Sequence, residues 1–210
     1  MKRFLLFLIL PLLQIGCACA QTNAVTIPRN EQIRFTENKG QWNEKIFFRA
    51  DIPSGKLLLE KNDFYFFLLS PNDLAKIQHP GHESEGTIHG HAFKEEFVGA
   101  NSNPVLKGEN SFPDYANYYL GNDPQHWASG VKIFSRVNYS EVYDGIDLAV
   151  YTKKNQQLEY DWIVNPNADA SKIKIKYNGV EELRIANKEL RIKTSVGDVI
   201  EEKPFAYQEI

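Results

Sequence analysis

From Ile146 onward, apolar and polar residues alternate in short runs that recur roughly every ten residues, each closed by Gly, Asn, Asp or Pro. Alternation at period two sends successive side chains to opposite faces of an extended chain, so each run can bury one face of a sheet but presents no coherent face as a helix. The pattern extends upstream. Strands are predicted at 32–36, 45–50, 56–61, 64–69, 91–98, 131–139, 146–151, 158–164, 173–177, 182–185, 190–194 and 199–207. Between them lie turn-forming segments such as Asn38-Lys39-Gly40, Pro53-Ser54-Gly55, Asn178-Gly179 and Gly197-Asp198, where Gly and Asn tolerate positive φ. Helix is expected only as short turns at 73–78 and 114–120. The expected fold is all-β, a β-sandwich-like domain of about twelve short strands behind a cleaved signal peptide.

The signal peptide is read from residues 1–20. Lys2 and Arg3 form a charged start, the ten residues from Phe4 to Leu13 are almost wholly apolar, and Ala18-Cys19-Ala20 is a small-x-small cleavage site. The run is interrupted by Pro11 and falls short of the roughly 20 residues a spanning helix needs. Cleavage would leave Gln21 first and residues 21–210 as the domain. The rival reading acylates Cys17 after Gly16, as in a lipoprotein, although Gln14 stands where that signal usually carries Leu. Both cysteines lie inside the leader, so a chain cut after Ala20 has no disulfide and no thiolate. The leader holds two of the 24 basic side chains and none of the 27 acidic ones, so the remainder carries 22 against 27, net −5. That balance, with no basic stripe, argues against a nucleic-acid partner. The expected location is extracellular or on the outer cell surface, with no transmembrane span in the mature chain.

One hairpin can be registered in advance. Pairing Val150 with Leu158 around a loop at 152–156 gathers Ile146, Leu148, Val150, Leu158, Tyr160 and Trp162 on one face, whereas a one-residue slip buries Asp161 beside Leu148. The same register places Asp147 directly opposite Asp161 on the other face, with Asp144 and Glu159 near. Like charges opposite each other in a ladder repel. They persist when water screens them, when a basic side chain intervenes, when a cation such as Ca²⁺ bridges them, or when they share a proton; carboxyls about 5 Å apart would suit a retaining glycosidase. The ordinary reading is a solvated acidic face.

Two other groups of residues are candidates. His79, His82, His89 and His91, with Glu83, have spacings that could ligate Zn²⁺ or Cu²⁺. They fall at 70–90, a Gly- and Pro-containing stretch that reads as a long mobile loop and would support a metal shell poorly. Trp42 and Trp127 lie in turn-rich segments where an exposed ring could stack a sugar, although aromatics are also ordinary core filling. Asn138-Tyr139-Ser140 matches a glycosylation sequon. No Gly-x-Ser-x-Gly elbow, P-loop or Gly-rich dinucleotide turn occurs.

Several longer motifs carry a resemblance. Phe35-Thr36-Glu37-Asn38-Lys39-Gly40-Gln41-Trp42, Phe97-Val98-Gly99-Ala100-Asn101, Asn117-Tyr118-Tyr119-Leu120-Gly121-Asn122-Asp123-Pro124, Tyr143-Asp144-Gly145-Ile146-Asp147-Leu148, Leu158-Glu159-Tyr160-Asp161-Trp162 and Glu202-Lys203-Pro204-Phe205-Ala206-Tyr207-Gln208 together resemble an uncharacterised N-terminal domain of large exported proteins of Bacteroidota. The resemblance spans nearly all of the mature chain. It implies a parent protein that continues into SBBP (β-propeller-type) repeats, PKD-like sandwiches and a sorting domain for type IX secretion of the gliding-motility-associated kind. Those parts do not occur up to Ile210, so the expectation is the N-terminal module of a longer protein. The family supplies no catalytic residues to carry over, and Asp147 and Asp161 belong to its shared pattern, which favours a structural or cation role. The expected function is a non-catalytic exported β-module working by binding, display or structure, with an extracellular or cell-surface partner and no cofactor beyond a candidate Ca²⁺. The alternative is a carbohydrate-binding or carbohydrate-active domain that uses the exposed aromatics and the acidic cluster.

Overall fold

The computed structural model of the chain describes residues 3–10, 32–78, 87–152 and 157–209. The chain is all-β, as the alternation predicts. In order it forms β1 (Arg3–Leu10), β2 (Phe35–Glu37), β3 (Phe48–Ile52), β4 (Gly55–Leu59), β5 (Asp63–Leu69), a single helix α1 (Pro71–Gln78), β6 (Gly90–Phe97), β7 (Val105–Tyr118), β8 (Ala128–Tyr143), β9 (Ile146–Thr152) and β10 (Leu158–Val164). It ends with β11 (Ile175–Asn178), β12 (Glu182–Ala186), β13 (Glu189–Thr194), β14 (Gly197–Glu201) and β15 (Phe205–Glu209). No helix among the described residues is long and apolar enough to cross a membrane.

Twelve strands make one antiparallel sheet in the order β11-β6-β5-β4-β3-β2-β8-β9-β10-β1-β15, with β7 added on β8; β12-β13-β14 form a separate sheet. The large sheet curls until its halves face each other. Phe64 of β5 meets Tyr139 of β8 at 6.0 Å and Tyr160 of β10 at 5.9 Å between ring centroids, and Phe97 of β6 meets Trp162 of β10 at 5.3 Å. These rings are the centre of a sandwich-like core that also takes Ile192 and Val199 from the small sheet. Edge-to-face geometry suits such rings, because a positive edge meets a negative face. At the β3–β4 turn the chain passes so close to β5 that a Cβ on Gly55 would stand 1.8 Å from the Phe67 carbonyl oxygen, which leaves room only for glycine.

The β9–β10 hairpin has the expected faces and a different register. All six predicted apolar side chains are buried, but Val150 pairs with Tyr160 and Leu158 with Thr152, two residues away from the expected pairing. A two-residue slip leaves every side chain on its original face, so burial alone cannot choose between the two registers. Asp161 therefore stands across from Ala149 and Asp147 across from Ile163. The like-charge pair expected from the sequence is thus not an opposed pair.

Three elements differ from expectation. Residues 114–118, expected as a helical turn, belong to the end of β7, where Tyr115 and Ala116 pair with Lys132 and Val131. Gly108, Asn110, Pro113 and Asp114 make this stretch look like a loop. The strand accommodates them with positive φ at Asn110 and register shifts between Ser111 and Tyr115, and these irregularities also blunt an exposed edge. The run 199–207 is two strands, broken at Pro204, which lacks the N–H a continuous ladder needs. Finally, Arg3–Leu10, expected as part of a cleaved leader, runs as a strand antiparallel to both β10 and β15. Cys17 and the expected cleavage site at Ala18–Ala20 lie outside the described residues.

Candidate functional site

The aromatic candidates are brought together by two loops. Asn38 organises the first: its Oδ1 accepts from the backbone N–H of Gly40 (3.0 Å) and Trp42 (3.3 Å), while its Nδ2 donates to the carbonyls of Asn43 (2.9 Å) and Ile46 (2.8 Å). In the second, Asp123 caps the 3₁₀ turn at Pro124–His126 by accepting from Gln125 N (3.0 Å), and its other oxygen lies 3.0 Å from His126 Nδ1. The loops meet where Lys39 Nζ donates to the Ser129 carbonyl at 3.0 Å. Trp42 then stands edge-on to Tyr118 at 5.4 Å, and Tyr119 edge-on to Trp127 at 5.9 Å.

The two tryptophans differ in what they can offer a ligand. The Arg49 guanidinium sits over the Trp42 ring, 5.2 Å from its centroid, so one face of that ring is already used. Trp127 is 43% exposed, and its indole N–H is tied to the Gly121 carbonyl at 3.3 Å, which fixes the ring without covering it. Tyr119, which meets its edge, and Leu120 next in the chain are more exposed still. An apolar, oriented and exposed patch of this kind is the usual mark of a contact site.

The acidic candidates are dispersed. Asp147 Oδ1 accepts the backbone N–H of Glu141 at 2.7 Å, where Glu141 takes a φ of 57° at the irregular end of β8. Asp144 sits in the β8–β9 turn and pairs with Lys172 at 3.6 Å. Asp161 is buried in mid-strand and accepts from the Tyr151 hydroxyl at 2.9 Å; burial and that carboxylate push the Tyr151 phenol up, so it stays a donor. Among the described residues no three His, Cys, Asp or Glu side chains converge as a metal centre would need. Of the four histidines, His79 and His82 lie outside the described residues. His89 is held by Asp73 through both its backbone N–H (2.8 Å) and Nδ1 (3.0 Å). His91 Nδ1 accepts the Ser195 backbone N–H (3.2 Å) and Nε2 lies 2.8 Å from the Gly179 carbonyl, so both ring nitrogens have protein partners.

One buried polar cluster went unread in the sequence. Glu95 of β6 and Glu201 of β14 are 0% and 1% exposed. Tyr177 of β11 donates to Glu201 Oε1 at 2.7 Å and Tyr160 of β10 to Oε2 at 3.3 Å. Glu201 also lines a cleft of about 390 Å³ between the small sheet and the main one, whose walls are chiefly Trp162, Ile173, Ile175, Tyr177, Leu190 and Pro204. A signal for both acids exists in the primary structure. Glu95 lies between Phe93 and Phe97 at the inward positions of β6, and Glu201 follows Val199 in the same way on β14. A lone carboxyl at an inward position predicts a buried acid, but its partner is 106 residues away and comes from another sheet.

No curated protein and no solved structure matches the chain. A family does match, over residues 35–210, from the first residue of β2 to the end of the chain. That span takes in both aromatic loops, the acidic residues and the buried Glu95–Glu201 cluster, and leaves out residues 1–34. The chain belongs to this family, described as Domain of unknown function (DUF7948).

Proposed function

We propose that this chain is a non-catalytic, exported β-module that works by binding at its surface, and that its contact surface is the aromatic patch around Trp127. The observation that carries the reading is the anchored, half-exposed Trp127 ring with Tyr119 against its edge and the exposed Leu120 next to Tyr119 in the chain. A ring fixed by its own hydrogen bond loses little freedom on binding, which favours affinity. Export rests on the leader at residues 1–20, and display on the family resemblance to the first module of longer surface proteins.

A second reading narrows the ligand to a glycan. It is favoured by the polar groups beside the ring: Asp123 and His126, both largely exposed, lie within the same short turn as Trp127 and could hydrogen-bond sugar hydroxyls while the ring stacks on the sugar's apolar face. Cleavage of the sugar has less support, because Asp144, Asp147 and Asp161 are engaged separately by Lys172, Glu141 and Tyr151. The test is binding of the exported protein to a broad panel of soluble polysaccharides, with Trp127→Ala as the comparison. Binding that weakens tenfold or more, about 1.4 kcal/mol, with an unchanged thermal melt supports the patch. Undiminished binding by Trp127→Ala would remove it. If the wild type ignores the whole panel, the glycan reading is lost and the same variant is tested against surface proteins.

A further inference from the structure

Four titratable side chains from four strands converge where the small sheet rests on the large one. Glu95 pairs across the ladder with Tyr177 on one side and Phe64 on the other, so it points into the core between them. Glu201 approaches from β14 and takes the hydroxyls of Tyr177 and Tyr160. No N–H or hydroxyl donor of the described residues reaches either oxygen of Glu95, and the charged group that acts on it is the Glu201 carboxyl. Two carboxylates cannot hydrogen-bond each other, and two buried like charges in contact repel strongly, so the contact requires a proton between them. Burial, and then the neighbouring Glu201 charge, hold the Glu95 carboxyl well above the usual range. Burial pushes Glu201 up to about 6 against the hydrogen bonds it receives from Tyr177, Glu95 and Tyr160.

We propose that Glu95 and Glu201 form a proton-operated latch: a proton shared between them clasps the β12–β14 sheet onto the main sheet, and its loss lets the small sheet lift and open the cleft behind it. The chain is built for such a movement. The small sheet is joined to β11 through Gly179 at φ +87° and to β15 through Glu202, Lys203 and Pro204, with Glu201 at the end of the strand that would move. What lifts away is the wall made by Leu190, exposing Trp162 and Ile175 on the opposite side of the cleft.

Other charged groups bear on the same joint. Lys188, Glu189 and Glu202 line the same cleft, Lys188 exposed and the two glutamates half-buried. His91 is a second pin, from β6 to the β13–β14 turn at Ser195. Its Nδ1 accepts the Ser195 N–H at 3.2 Å and lies 3.0 Å from the Ser195 hydroxyl, a contact separate from the carboxyl pair.

The direction follows from linkage. The closed form binds a proton more tightly than the open one, in which the carboxyls return to the ordinary 4.5. The latch is at full strength below that value and weakens as pH rises through the raised ones. Each proton released lowers the closed-to-open ratio by up to about tenfold per pH unit. The test is hydrogen exchange of the full-length protein from about pH 5 to about pH 10, with protection corrected for the intrinsic exchange rate. Amides of β13 and β14 are expected to lose protection by up to about tenfold per pH unit on the alkaline side, while those of β3 and β4 keep theirs. In Glu95→Gln the amide donates permanently to Glu201, so the alkaline loss should vanish. Glu201→Gln, which keeps an acceptor for the tyrosines and donates to Glu95, is the second variant should the first not fold. The latch is refuted if both variants keep the wild-type profile, or if β13 and β14 lose protection only together with β3 and β4, as in global unfolding.

Discussion

Truncation of Phe64 to alanine tests the claim that one curled sheet packs against itself. Phe64 is fully buried, and the rings of Phe97, Tyr139 and Tyr160 stand 5.0, 6.0 and 5.9 Å from it. Two of these belong to the β8–β10 half of the sheet and the third to β6, so removing Phe64 opens a void at the contact between the halves. Buried Phe→Ala changes cost about 3–5 kcal/mol in lost transfer energy and residual cavity. Three large rings around the gap relax poorly, and each loses an edge-to-face contact, so the expected cost is at the upper end, about 5 kcal/mol. Phe67 is the internal control: it lies on the same strand, is 52% exposed, and should cost less than about 1 kcal/mol as alanine. Urea unfolding followed by tryptophan fluorescence reads both. With a slope of about 2 kcal/mol/M, the midpoint should fall by about 2.5 M for Phe64→Ala and by at most about 0.5 M for Phe67→Ala. Equal shifts would mean that β5 does not face β8 and β10, and the sandwich-like reading would be wrong.

Gly55→Ala should lower stability by about 3 kcal/mol or more, because the new Cβ would overlap the Phe67 carbonyl, a backbone atom in a ladder that cannot step aside; a calorimetric melt checks this. Asn38→Ala removes the bridge between residues 40–46 of the first aromatic loop and should cost about 2 kcal/mol, with Trp42 becoming more accessible to acrylamide quenching. Stability should fall as pH rises from the ordinary carboxyl value of 4.5 through about 6 and beyond, because the folded chain binds protons at Glu95 and Glu201 that the unfolded chain releases. The melting temperature of Glu95→Gln relative to wild type should therefore climb with pH, and a gap that stays constant would show that the pair shares no proton.

Local chemistry made much of this fold legible. Alternation at 146–164 assigns six side chains to the core because a strand has only two faces, and Pro53-Ser54-Gly55 announces the tight turn between β3 and β4. It did not make β7 legible. There Gly108, Pro113 and Asp114 carry loop signals, and the strand exists because β8 offers it a sixteen-residue partner. Tertiary pairing overrides a weak propensity in such a place. The aromatic candidates were likewise visible as residue types, but not their contrast: one face of Trp42 is covered by Arg49, and Trp127 is left open.

Composition, periodicity and turn residues are properties of neighbours along the chain, and they were enough to settle the all-β class, the buried face of the β9–β10 hairpin and turns such as the one at Gly55. Register, the curl of the sheet and the meeting of Glu95 with Glu201 depend on which distant strands lie side by side. Alternation at period two is unchanged by a two-residue slip, so nothing local distinguishes Asp147 opposite Asp161 from the observed Asp147 opposite Ile163. In the same way, an inward glutamate on β6 is only a desolvation cost until β14 brings a second carboxyl, itself held by the hydroxyls of Tyr177 and Tyr160, beside it. Burial of a polar group is a question about its partners, and those are supplied by the folded chain.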